Sequence, residues 1–182
     1  MALDPGRGRR RWSSGARLVL PFSALALLAL DRITKLAIAE SLPLYDSKTI
    51  IPGFFNLVHA RNTGIAFSLL ADAGPLVREW LLPAASLAAV AFMIVLLWRG
   101  GWTSRSTPIA ITLILAGAAG NLYDRFAYGY VVDFLDFYIG GWHWPAFNVA
   151  DSCITVGAAL LLLSAAREPA APPEPQRRAT GA

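Results

Sequence analysis

Apolar residues in this chain gather into four long runs, and the few charges inside those runs collect near one end of each. About 20 apolar residues span a hydrocarbon core of roughly 30 Å, so each run predicts a membrane-crossing helix. The first covers residues 18–39; it is uncharged to Leu30 and then carries Asp31, Arg32 and Lys35. The second, 80–98, holds no charge and has a Trp at each end, where aromatic belts sit. The third, 108–126, turns polar only at Asn121, Asp124 and Arg125, and the fourth, 147–166, carries Asp151 near its start. Pro21 and Pro83 fall near span ends, where a missing N–H costs little.

Between the runs the pattern changes. Residues 41–73 read as extended, since Thr49-Ile50-Ile51-Pro52-Gly53-Phe54-Phe55-Asn56-Leu57-Val58 combines β-branched and aromatic residues with a turn signal. Residues 127–146 hold Gly129, Gly140 and Gly141 among Trp142, Trp144, Tyr128, Tyr130 and Tyr138, a composition suited to a membrane interface. The expectation is an all-α membrane protein: four transmembrane helices, a small external β-layer and a short interfacial segment. No internal repeat is present.

Composition sharpens this picture. Of 182 residues, 55% are hydrophobic and 15% charged, and the mean hydropathy is +0.49. Such a chain is neither disordered nor a coiled coil, and one cysteine excludes a disulfide-stapled module. The net charge of +4 does not point to nucleic acid, because much of the excess Arg lies in the tails. Ten Arg residues fall before span one, between spans two and three, and after span four, whereas the opposite side holds only Lys48, Arg61 and Arg78. The positive-inside rule then places both termini in the cytoplasm. The organisation is a basic tail (1–16), a membrane domain (17–166, with external segments 40–79 and 127–146) and a Pro-rich tail (167–182). The Arg-rich start followed by a 13-residue apolar run imitates a cleavable secretory signal. The run resumes past Lys35 and three spans follow, which favours a retained anchor; no Leu-x-x-Cys box marks the chain as a lipoprotein itself.

Depth makes the polar residues informative. At about 1.5 Å per residue, Asp31 lies roughly 20 Å and Asp124 roughly 24 Å outward from the inner ends of their spans, while Asp151 sits in the first turn of a span entering from outside. Asp133 joins them from the segment above. Six charges within the spans, each costing on the order of 3 kcal/mol at mid-membrane, demand partners or a task. Singly, each has a structural reading. Asp31 and Lys35 are an i, i+4 ion pair; Asn121, Asp124 and Arg125 form a polar staple on one helical face; Asn148 and Asp151 fit a capping box; Asp133 is a solvated loop acid. Together, at one depth, they suggest a site.

Other chemistries lack their residues. No zinc motif appears, so His59 and His143 read as polar surface or interface residues. Cys153, without a histidine base nearby in sequence, reads as a buried thiol, and Gly117, Gly120 and Gly157 as helix-packing positions. No metal or cofactor is expected. Two carboxylates a few ångströms apart cannot both ionise, so one keeps a proton while the other acts as base. That arrangement hydrolyses a peptide with no covalent intermediate. Depth alone pairs Asp124 with Asp151. A small transporter using the acids as a proton relay is the alternative, although the inner halves of the spans are bare of charge; a scaffold would need no matched acids.

Five segments in order, Asp31-Arg32-Ile33-Thr34-Lys35, Arg61-Asn62-Thr63-Gly64-Ile65-Ala66-Phe67-Ser68, Gly120-Asn121-Leu122-Tyr123-Asp124-Arg125, Gly129-Tyr130-Val131-Val132-Asp133-Phe134 and Phe147-Asn148-Val149-Ala150-Asp151-Ser152, resemble the lipoprotein signal peptidase (signal peptidase II) family of bacterial intramembrane aspartic proteases. Ile65, where a smaller residue is common, and the long tails are the departures. The resemblance implies a four-helix membrane fold with an external β-cradle in the bacterial cytoplasmic (inner) membrane, its active site toward the outer face. It implies an aspartic endopeptidase, expected to act as a monomer among membrane lipids, that cleaves prolipoproteins before a diacylglyceryl-modified cysteine. It puts the catalytic pair on Asp133 and Asp151, reassigning Asp124 to support, where Asn121 and Arg125 would keep it ionised. The other supporting positions are Asp31, Lys35, Asn62, Gly64, Asn121, Arg125, Asn148 and Ala150.

Overall fold

The computed structural model describes residues 14–64, 74, 76–99, 104 and 106–167. The tail residues 1–13 and 168–182 and the 65–68 end of the second motif lie outside the described residues. The described residues form four α-helices: α1 (Ser14–Ser41), α2 (Leu82–Arg99), α3 (Ser106–Tyr128) and α4 (Val149–Ala166), with a π-helical turn (Leu76–Leu81) leading into α2. Each covers one of the four apolar runs. Helices α3 and α4 are long and apolar enough to cross a membrane by length and composition, and Pro83–Arg99 is apolar but shorter. Helix α1 is the longest, at 28 residues, and its apolar run is broken by Asp31, Arg32 and Lys35. Pro83 is the second residue of α2, as expected, but Pro21 stands inside α1 because the helix begins seven residues earlier. Such a proline is tolerated where neighbouring groups satisfy the freed carbonyl.

Helix α3 is central, packing most extensively on α4 and also on α1 and α2. A Cβ at Gly117 would collide with the Ala150 carbonyl, so only glycine lets α3 and α4 approach this closely. The bundle is inverted relative to a soluble protein. Its buried side chains include Asp31, Lys35, Asn121, Asp124, Asp133 and Asn148, while Phe22, Ile33, Trp98 and Leu162 are exposed. That distribution is what an apolar solvent selects.

The segments between α1 and α2 and between α3 and α4 form one antiparallel sheet in the order β1 (Ser47–Ile51), β2 (Phe55–Asn62), β3 (Val131–Ile139), β4 (Trp142–His143). The β-layer was expected from residues 41–73 alone, with 127–146 lying at the interface. Instead 131–143 supplies half of the sheet, because Val131-Val132-Asp133-Phe134-Leu135-Asp136-Phe137-Tyr138-Ile139 is itself rich in strand formers. Ile38 of α1 packs with Val132 and Phe134 beneath it. His59 also departs from expectation: it is buried, its Nδ1 2.9 Å from the Leu42 carbonyl at the end of α1, so it ties sheet to helix. His143 remains half-exposed against Asp136 at 2.9 Å.

Two features deliver the site. Between Leu57 and Ala60 the register of β2 against β3 shifts by one residue, a bulge of the kind that re-aims side chains. Beyond β4 the chain returns to β3, where the Phe134 and Leu135 amides donate to the Phe147 carbonyl at 3.0 and 2.8 Å. The next residue, Asn148, caps α4. The excursion from Asp133 to Asp151 is thus sewn shut at its base.

Candidate active site

Asp133 is a buried residue of β3, not a solvated loop acid, and burial together with the charge of Asp151 pushes its carboxyl up to about 7. Its Oδ1 accepts from Asn148 Nδ2 at 2.7 Å and its Oδ2 from Asn62 Nδ2 at 2.9 Å. Asp151 is the third residue of α4. The expected capping box is present: Asp151 N–H donates to Asn148 Oδ1 at 2.9 Å, and Asn148 N–H to Asp151 Oδ2 at 3.2 Å. The box does not exhaust Asp151, whose Oδ1 also accepts from Asn121 Nδ2 at 2.7 Å. Asn148 therefore bridges both acids, by its side chain to Asp133 and by its backbone to Asp151.

A second layer holds the first. The Lys35 ammonium lies 2.8 Å from Asp31 Oδ2, 2.8 Å from Asp124 Oδ2 and 3.0 Å from Asn121 Oδ1, which uses its three donors. Asp31 Oδ1 accepts from the Ala150 N–H at 2.9 Å, satisfying a first-turn amide of α4. A Cβ at Gly120 would stand 2.6 Å from Asp31 Oδ2, so this carboxylate needs a bare backbone facing it.

Asp124 does not pair with Asp151, and its partners are not the Asn121 and Arg125 that were expected to hold it. It is held from α1 by Lys35 and by Arg32, whose Nη1 is 2.9 Å away. Arg125 turns instead to the Gly64 carbonyl at 2.9 Å, fixing the end of β2, where Gly64 N–H also donates to Asn62 Oδ1 at 2.9 Å. Arg32 is the residue that sequence reasoning missed. It also donates to the Tyr128 hydroxyl and lies 4.9 Å from the Tyr123 ring. Tyr123, one residue before Asp124, and Tyr128, four after it, were its signal, legible only once α1 is set against α3.

All eleven residues singled out in the sequence thus belong to one connected set: Asp133 and Asp151, then Asn62, Asn121 and Asn148, then Asp31, Lys35, Gly64, Asp124, Arg125 and Ala150. Cys153 is buried. Below the acids lies a cavity of about 560 Å³ between α2, α3 and α4. Asp151, Asn121, Arg125 and Asn62 give its lining polar groups, and Ala89, Ile114, Ala118, Ile154 and Val156 an apolar wall. The arrangement can place a base, an acid and a water beside an extended apolar ligand.

The family model for signal peptidase (SPase) II matches residues 23–167. A lipoprotein signal peptidase of Paraburkholderia phymatum is 48% identical over 144 residues, 79% of this chain and 85% of that one. One from Cupriavidus necator is 44% identical over 163 residues, 90% of this chain and 91% of its own length. Among solved structures, a bacterial membrane enzyme determined by the in meso method at 1.9 Å superposes with a TM-score of 0.68 at 29% identity, covering 90% of this chain and all of that one. A second, at 2.3 Å, gives 0.69 at 30% identity over 86% and 91%.

Proposed function

The chain belongs to the signal peptidase II family, and from that premise we propose that it is an aspartic endopeptidase removing signal peptides from prolipoproteins before the diacylglyceryl-modified cysteine. One observation carries the aspartic reading: a buried carboxyl, Asp133, and a half-buried one, Asp151, 18 residues apart in sequence, share Asn148 as a hydrogen-bond donor. Asp151, at the N-terminus of α4 where the helix dipole favours negative charge, is the base. Asp133, with its carboxyl near 7, is the acid.

In the first step Asp151 removes a proton from water, the oxygen attacks the scissile carbonyl, and Asp133 gives its proton to the carbonyl oxygen. In the second, Asp151 passes its proton to the leaving nitrogen, the C–N bond breaks, and Asp133 recovers a proton as the carboxylic acid product forms. Both groups return to their starting states. The amides of Asn62, Asn121 and Asn148 keep the carboxyls oriented at no reorganisation cost. Asp31, Lys35, Asp124, Arg125, Gly64 and Ala150 support that shell.

The test is release of signal peptide from a diacylglyceryl-modified prolipoprotein by the purified protein, measured across pH. A group whose carboxyl sits near 7 holds its proton below that value and loses it above. Since kcat/KM reports the free enzyme, it is expected to fall about tenfold per unit above pH ~7. A profile flat to pH 9 would remove Asp133 from the acid's role.

The membrane arrangement is four crossings, both termini cytoplasmic, and the sheet with the acids toward the outer face of the bacterial inner membrane. The ten-to-three distribution of Lys and Arg supports it. Reporter fusions after Arg11, Gly101 and Pro175 are expected to read cytoplasm, and those near Ser47 and Gly140 outside. A cytoplasmic reading at Ser47 overturns it.

A further inference from the structure

Among the supporting residues one buried charge bears directly on how the pair is wired. Lys35 is 1% exposed and touches neither carboxyl of the pair, yet it sits one residue away, on Asn121 Oδ1 at 3.0 Å. An amide can present either end to a neighbour, and the two ends are opposite in kind. Each of the three asparagines around the acids faces a group that can only donate: Asn62 the Gly64 N–H, Asn148 the Asp151 N–H, and Asn121 the Lys35 ammonium. Each is therefore forced to hold its oxygen there and turn its NH2 toward an acid. The result is that every carboxyl oxygen of the pair accepts one N–H. Two of the three anchors are backbone and belong to the local turn or cap. The third is a side chain carried in from α1, 86 residues away in sequence.

The geometry points to Lys35 as a positioning residue that sets the direction of the Asn121 amide, and through it keeps an N–H donor, not a carbonyl oxygen, against Asp151. The inference rests on the two-aspartate reading and deepens it. Asp31 and Asp124 hold the ammonium from the other side at 2.8 Å each, so they confine it without touching the acids. Without Lys35 the Asn121 oxygen keeps only the long contact from Asn148 Nδ2 at 3.4 Å, too weak to hold the amide against reversal. Its oxygen would then face ionised Asp151, which loses a hydrogen bond and takes up a proton at higher pH.

The experiment is a double-mutant cycle of Lys35→Met and Asn121→Ala, read as kcat, KM and the pH profile of cleavage. Removing Lys35 alone leaves the buried Asp31 without its ionic partner, while Asp124 keeps Arg32, so the cycle is repeated in an Asp31→Asn background, where the local charge stays balanced. In either background that folds, Lys35→Met is expected to lower kcat about 10- to 100-fold with KM within about threefold, and to move the acidic limb of kcat/KM upward by about one pH unit. On top of Asn121→Ala the same substitution should change kcat less than about twofold, because the residue it acts through is gone. Effects that multiply, or an acidic limb that stays in place, overturn the inference, since a charge acting through space or a purely structural role predicts those results. Asp133→Asn and Asp151→Asn are measured alongside. If both are inactive while the cycle is multiplicative, only the role of Lys35 falls; if either cleaves normally, the two-aspartate reading falls and Lys35 with it.

Discussion

Asp133→Asn and Asp151→Asn are each expected to lower kcat by at least about 1,000-fold while the protein remains folded and inserted. General acid–base participation contributes about 10²–10⁴ per group, and here no substitute group is at hand. The described carboxylates nearest the pair, Asp31 and Asp124, are bound to Lys35 and Arg32, and moving either would strand a buried cation. Substitution by Asn keeps shape but not function. At position 133 both carboxyl oxygens accept from amide NH2 groups whose direction is imposed elsewhere, so an Asn there must set one N–H against another. That mismatch costs on the order of 1–3 kcal/mol, enough to lower the melting temperature, too little to unfold a bundle held by α3 against α4. Near-normal turnover by either purified variant, with circular dichroism unchanged, would sink the assignment.

The helices were legible in the sequence, and the residues it singled out lie in one connected set; the wiring between them was not legible. The four apolar runs became the four helices because long uncharged stretches have few other structures available to them in this composition. The buried acids stood out because charges at one depth are costly. What periodicity could not supply was which acid meets which base. Asp124 has Arg125 beside it in sequence, yet on the helix that neighbour points to the Gly64 carbonyl, and the charges that hold Asp124 arrive from α1. Depth gives a coordinate along the membrane normal and none around it, so it put Asp124, not Asp133, with Asp151. Strand β3 was the other loss. The glycines flanking it and its aromatic residues read as an interface segment, and only its pairing with β2 and the return of Phe147 make it the floor on which Asp133 is carried. The family resemblance, not the residue pattern, put Asp133 in the pair.

An otherwise identical prolipoprotein lacking the diacylglyceryl group is expected to be cut at least about a hundredfold more slowly in kcat/KM. The polar groups lining the cavity offer the substrate peptide a few hydrogen bonds, each contributing roughly 1 kcal/mol. Its wall is different: Ala89, Ile114, Ala118, Ile154 and Val156 line an apolar space of about 560 Å³ directly below Asp151. Small residues at 89 and 118 leave width for an acyl chain between helices. Two chains of ~16 carbons, at about 0.8 kcal/mol for each CH2 kept out of water, confine the modified cysteine to the depth of the acids. A peptide without them must be held there by hydrogen bonds alone. A hundredfold discrimination asks only ~2.7 kcal/mol of that difference, a small part of what the chains offer even after the bilayer's own affinity for them is discounted. The measurement is both substrates under one set of detergent conditions, with Ala118→Leu as a third arm that narrows the wall and should penalise the lipidated substrate more than the bare one. Equal rates for the two substrates would mean that the pair reads peptide sequence, and the apolar wall would then have no part in selecting what is cleaved.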